Sequence, residues 1–293
     1  MGRATHLPLL LTACFVVGAP RAHAAPAPAP PDAFAPYAWL PGAAERPTLV
    51  RLADRFPTPT GFTRIGLPVG SFGAWLRGLP VRTDRTDVRA YDDRRLGRPS
   101  SAIVFLDVGA RDLQQCADTA LRLHAEYLWS HGRAEQAAYH FTSGDRSAWK
   151  DWRRGERFAV HGAKVERVRR GATANSHAAF RGWLTHLFRY AGTQSLRFDS
   201  APVGARPLMP GDVFVQPGGP GHAVMLLDVA EGADGRRAAL VGQGFMPAEE
   251  LHVLTRVGAD VLDGVWFVLP TGGGVLDTPS WRPFSRADAR RFR

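Results

Sequence analysis

The chain is poor in cysteine and equally poor in lysine: 293 residues carry two cysteines, Cys14 and Cys116, and two lysines, Lys150 and Lys164. Two cysteines exclude a disulfide-framed miniprotein. A hydrophobic content of 45% excludes a disordered chain. After the N-terminal stretch no apolar run approaches the roughly 18 residues that span a bilayer, so no membrane span is expected. With lysine nearly absent, the 37 basic residues are almost all arginine. Abundant Ala, Gly and Pro accompany them, which points to coding bias before function.

What is present begins with a leader. Arg3 precedes an apolar stretch, Leu7 to Pro20, and Ala22-His23-Ala24 follows as an Ala-x-Ala cleavage pattern, so residues 1–24 are expected to be a signal peptide. A second reading stays open, because Leu11-Thr12-Ala13-Cys14 resembles a lipobox that would make Cys14 a lipidated N-terminus. Either way the protein is expected to be exported, periplasmic or extracellular. Removing the leader takes away Arg3, Arg21 and Cys14, lowers the formal excess of basic residues from ten to eight, and leaves Cys116 alone. A lone thiol in an oxidising compartment is either buried and inert or used.

Residues 25–47 open with APAPAPPDAFAP and read as an Ala/Pro-rich tether; residues 48–293, with no linker-like interruption, read as a single α+β domain. Ser71–Gly78 is expected to be a short helix carrying Trp75. Ala102–Val108 reads as a strand. Leu113–Ser130 has apolar residues at three- and four-residue steps and reads as a helix. Another helix is expected near Ser176–Tyr190. Four strands are expected at Asp212–Gln216, His222–Val229, Arg237–Gln243 and Val265–Leu269.

Asp112-Leu113-Gln114-Gln115 has the form of a capping box, with Asp112 as N-cap and Gln115 reaching back. That puts Cys116 in the first helical turn, where free backbone N–H groups and the helix dipole favour a thiolate. The plain alternative is a small apolar residue at a helix–sheet contact. Among the histidines, His124, His131 and His140 lack tight metal spacing such as HExxH, and His177 and His186 read as surface or packing residues; no metal or cofactor set is expected. His222 differs, since it opens a strand after the turn Pro217-Gly218-Gly219-Pro220-Gly221. It is either a general base or a histidine closing a strand edge. A base needs an orienting partner. Asp228 lies six residues along the same strand, roughly 20 Å away at about 3.3 Å per residue. A hairpin around Glu231–Gly235 brings Gln243 opposite or diagonal to His222, within roughly 5 to 8 Å. Gln243 is therefore the expected partner, with Glu249 and Glu250 in reserve.

These residues carry two resemblances. Cysteine at a helix N-terminus, then "GDVFV", then histidine opening "HAVMLLDV", resembles the NlpC/P60 and amidase branch of papain-like cysteine hydrolases. That resemblance implies a Cys-bearing helix packed on an antiparallel sheet that carries the histidine. It implies cleavage of peptide or amide bonds in the cell wall, with Cys116 as nucleophile, His222 as base and Gln243 as third member. The backbone N–H of Cys116, with Gln114 or Gln115, would steady the oxyanion. The motifs "FTRIGLP", "WLRGLPV", "RDLQQCADTALRLHAEYL", "YAGTQSL", "GDVFVQPGGPGHAVMLLDVA" and "GQGFMPAEELHVL" are similar to the bacterial family called domain of unknown function 4846, which implies one exported domain and no particular activity.

Two functions are therefore expected as alternatives: an exported cysteine hydrolase acting on a peptide or cell-wall amide, or a non-catalytic cell-envelope binding module with a buried structural Cys116. The arginine-rich stretch Arg153-Arg154, Arg157 and Arg167–Arg170, with Trp149 and Trp152 nearby, reads as a solvated basic face. Its alternative role is contact with an anionic envelope polymer, because arginine forks suit carboxylates; nucleic acid is not expected as a partner of an exported chain. Gly272-Gly273-Gly274 lacks the strand–helix context of a phosphate loop.

Overall fold

A computed structural model describes residues 1–2, 32–162 and 164–293. The leader, its cleavage pattern and Cys14 lie outside the described residues. Residues 33–293 form a compact mixed α+β unit. It contains residues 33–47, which composition assigns to the tether. Tyr37 accounts for the difference: it is buried against Trp39 and Trp75 and donates its hydroxyl to the Trp75 carbonyl at 2.9 Å. Two aromatics among the prolines are enough to bring that stretch onto the core.

The centre is a ten-stranded sheet whose pairings are all antiparallel. Its main path runs β5 (Ser200–Pro202), β11 (Ala289–Phe292), β6 (Val213–Gln216), β7 (His222–Gly232), β8 (Arg237–Gln243), β9 (His252–Leu254) and β2 (Ser100–Ile103). β1 (Phe62–Arg64) joins the far end of β7, and β10 (Trp266–Val268) joins β8. The four strands expected in the last third are present, while the 102–108 strand is shorter and earlier than its apolar run suggests. Phe105 and Leu106 leave the ladder and pack from a loop.

Helices cover one face. α1 (Phe72–Arg77) is capped by Ser71, whose hydroxyl accepts from Ala74 N–H. α2 (Cys116–Ser130) lies on β7, and α3 (His177–Leu187) is capped by Ser176. α4 is Thr193–Asp199. A separate hairpin, β3 (Glu156–His161) with β4 (Lys164–Arg169), stands apart from the main sheet and holds much of the arginine-rich stretch. Among the described residues no helix is long and apolar enough to cross a membrane.

The sheet is buried on both faces, and its central strands are mostly apolar on each. Ala223, Met225 and Leu227 pack with Ala117, Ala120 and Leu121 of α2. Val224 and Leu226 point the other way, into a second core with Phe214, Val241 and Phe284. This alternation along β7 decides where the candidate site residues go.

Candidate functional site

Cys116 is the first residue of α2, and the cap differs from the expected one. Gln115 is the N-cap, and Asp118 supplies the return half of the box by accepting Gln115 N–H at 3.2 Å. Asp112 instead accepts the Gln115 side chain at 2.9 Å and Ala248 N–H at 2.7 Å, so it ties the approach loop to the segment after β8. The helix begins three residues later than the Asp-x-x-Gln spacing predicts, because the competing Gln-x-x-Asp spacing lies in the same stretch. Asp118 is the site residue that spacing alone did not single out.

The Cys116 thiol is buried, at 6% exposure. Burial pushes its pKa up to about 11, despite hydrogen bonding from the Ala223 backbone. Burial likewise raises Asp118 well above the usual carboxylate range. The thiol flanks a surface groove of about 370 Å³ that runs between the start of α2 and the turn Gly218–Gly221. Gln115, Arg189, Thr193 and Met246 complete its walls. Thr193 fixes the turn by accepting Gly218 N–H at 3.4 Å, and a Cβ at Gly221 would stand 2.3 Å from the Thr193 hydroxyl, so that turn needs glycine.

His222 and Gln243 meet as the strand register suggests. Met225 faces Gly242 and Leu226 faces Val241. One further step puts Val224 opposite Gln243, with His222 on the diagonal. The His222 Nε2–H donates to Gln243 Oε1 at 2.8 Å. Neither reserve residue takes this role: Glu249 pairs with Arg98 at 2.8 Å, and Glu250 with Arg85. Asp228 is held by Arg64 and Arg77, each at 2.6 Å.

The pair does not reach the cysteine. His222 shares the face of Val224 and Leu226, turned away from α2, and its ring packs against Phe245, Trp281 and Phe284 at 4.7, 5.1 and 6.1 Å. Ala223, whose backbone bonds the Cys116 thiol, is the residue that packs with Ala117 of α2. The next strand agrees: a Cβ at Gly244 would lie 2.7 Å from the Thr119 hydroxyl of α2, so Gln243 must face the opposite side. A shift of one residue in β7 would exchange the two sets of side chains. Periodicity could not show which set faces the helix, because both are apolar after the first position.

On that far face His222 belongs to a buried polar cluster. His252 faces Gln243 across the ladder, and Glu249 Oε1 lies 3.7 Å from His252 Nδ1. All four side chains are at most 2% exposed. His222 Nδ1, Gln243 Nε2, Glu249 Oε1 and His252 Nε2 have no hydrogen-bond partner. Burial lowers His222 and His252 to about 4 and raises Glu249 to about 7. Trp281, whose indole donates to Gln216 Oε1 at 2.9 Å, covers the His222 ring. Among the described residues no group of three or more His, Cys, Asp or Glu is placed to hold a metal.

A mixed α+β unit built on one broad antiparallel sheet, with a cysteine-bearing helix on one face and a histidine on the other, is the class the fold defines. Residues 52–291 match the family described as "Domain of unknown function (4846)", and the chain belongs to that family. No curated protein and no solved structure matches it.

Proposed function

We propose that the chain is an exported, non-catalytic module that binds cell-envelope material, with Cys116 in a structural role. The observation that carries this reading is the parity of β7: Ala223 packs on the α2 side with Ala117, while His222 faces Trp281 and Phe284. A thiol raised to about 11 and engaged with a backbone amide is a poor nucleophile near neutral pH. The groove beside it has features that suit an extended peptide, since Gly218, Gly219 and Gly221 let a ligand backbone approach closely. The basic hairpin is the surface suited to an anionic envelope polymer. There Arg157 stacks on Trp152 at 3.9 Å and Arg167 pairs with Glu156 at 2.9 Å.

A second reading, an amide-cleaving cysteine hydrolase of NlpC/P60-like arrangement, is favoured by the position of Cys116 at the first residue of α2 on the groove wall. It assigns Cys116 as nucleophile, His222 as base, Gln243 as its orienter and Gln115 to the oxyanion side. It requires the His222 ring to leave its aromatic cage and reach the helix side of the sheet. Iodoacetamide labelling at mildly acidic pH, paired with digestion of muropeptides, separates the two. The binding reading expects the native protein to label no faster than the unfolded one, with no muropeptide cleavage and with wall binding retained in Cys116→Ala. Fast native labelling, together with cleavage that Cys116→Ala abolishes, would establish the hydrolase instead.

A further inference from the structure

A second pocket lies further along α2. It has a volume of about 220 Å³ and is enclosed by α2, the strand Ala138–His140, α4 and the end of β11. On its wall His140 Nδ1 bonds Asp199 Oδ1 at 2.6 Å, while Asp199 Oδ2 accepts the His140 backbone N–H at 3.1 Å. The carboxylate is thus locked at both oxygens and buried at 3% exposure, whereas the imidazole is 25% exposed. With Nδ1 held by Asp199, Nε2 is the ring nitrogen left for a ligand.

Two arginines line this pocket. Arg133 donates only to the neutral Gln136 Oε1, from Nε at 3.0 Å and Nη2 at 2.8 Å. Arg293 also lines it, and its backbone N–H donates to the Asp199 carbonyl at 3.4 Å. The floor is neutral: His124 stacks on Phe292 at 4.3 Å, its Nδ1 bonds the Tyr139 hydroxyl at 2.9 Å, and burial pushes its pKa down to about 3. Phe198, 45% exposed, stands beside His140 with ring centroids 5.5 Å apart.

We infer that this pocket binds a phosphate monoester carried on a ring. A phosphoryl group offers three oxygens to the Arg133 guanidinium and to His140 Nε2, where a carboxylate offers two. Guanidinium and imidazolium donors suit phosphoryl oxygens, and an exposed phenyl ring beside them suits an aromatic or sugar face. The same His–Asp pair could instead serve only to tie the 138–140 strand to α4, and the two roles differ in what a ligand does to them. The inference does not depend on the reading of Cys116 or of the groove.

The test uses the full chain, with phenyl phosphate, inorganic phosphate and benzoate titrated by calorimetry while the His140 ring resonances are followed by NMR. Expected is one saturable phenyl phosphate site that moves the His140 signals and binds at least about tenfold more tightly than benzoate. Arg133→Gln, an exposed change that leaves the core intact, should weaken phenyl phosphate about tenfold or more. Phe198→Ala should weaken phenyl phosphate but leave inorganic phosphate unchanged. Arg169→Gln, on the separate basic hairpin, should change neither. Non-saturating shifts, or equal affinity in wild type and Arg133→Gln, would overturn the site. Equal affinity for phenyl phosphate and benzoate would overturn the assignment of a phosphate monoester.

Discussion

Two buried polar clusters in this protein are built to opposite standards. Around α2, Arg122 is fully buried yet reaches Glu126 and Asp107 at 2.7 Å each and Gln114 at 3.0 Å. His177 meets both oxygens of Glu126, at 2.9 and 2.8 Å. The far face of the sheet is different. There His222, Gln243, His252 and Glu249 share one direct bond between the first two, and each side chain keeps an atom without a partner. A satisfied network ties elements together. A half-satisfied one costs stability and is retained only where something else depends on it.

The comparison can be broken at several points. The largest effect is expected from Glu126→Ala, which leaves the buried Arg122 and His177 short of a partner. It should lower unfolding free energy by about 3–5 kcal/mol in urea denaturation. A loss below about 1 kcal/mol would mean that the α2 network is replaceable. On the far face, His222→Leu should cost about 1–3 kcal/mol, because it leaves the Gln243 amide buried and alone. Adding Gln243→Leu should recover most of that loss, since replacing both partners by apolar groups of similar size is close to neutral. If the double variant is worse than the single, the His222–Gln243 bond stabilises more than its orphaned atoms suggest.

The pH dependence is a smaller effect with a definite sign. Glu249 keeps its proton in the folded state up to about 7, above its ordinary value, so its burial opposes folding increasingly as pH rises through the range from about 4.5 to 7. His222 and His252 act in the opposite sense. They stay neutral in the fold down to about 4, so stability falls as pH drops from their ordinary values toward that point. Glu249→Gln should therefore gain on wild type between pH 5 and pH 8 in parallel thermal melts. A constant difference between the two proteins would show that the Arg98 pair cancels the burial of Glu249. The smallest change is expected from Cys116→Ala, within about 1 kcal/mol, because the thiol behaves as a small apolar side chain.

Much of this arrangement was legible in the sequence. Turn residues bracketed β6, β7 and β8 closely, Ser71 and Ser176 marked their helices, and simple register arithmetic brought Gln243 to His222. The relation of His222 to Cys116 was not legible. Residues 223–227 of β7 are Ala, Val, Met, Leu and Leu, apolar on both faces, so alternation is silent about which set meets the helix. The β3–β4 hairpin was hidden for a different reason: its charged, half-exposed residues have neither the alternation of a one-sided strand nor the apolar run of a central one. His140 looked like one more unmotivated histidine because Asp199 is remote in sequence. Only the packing of α4 against the 138–140 strand brings the two together.

The position of β11 bears on the order in which this protein can assemble. Residues 289–292 fill the gap between β5 and β6, so Ser200 waits for Phe292 and Val213 waits for its second neighbour, Arg290, until the end of the chain has been synthesised. Until then the helix-covered part must wait with an open seam in its sheet, and closing that seam is a long-range step of the kind that slows folding. A chain shortened before Ala289 would retain the groove residues and the His140–Asp199 pair in sequence, yet it would lack the strand that joins β5 to β6.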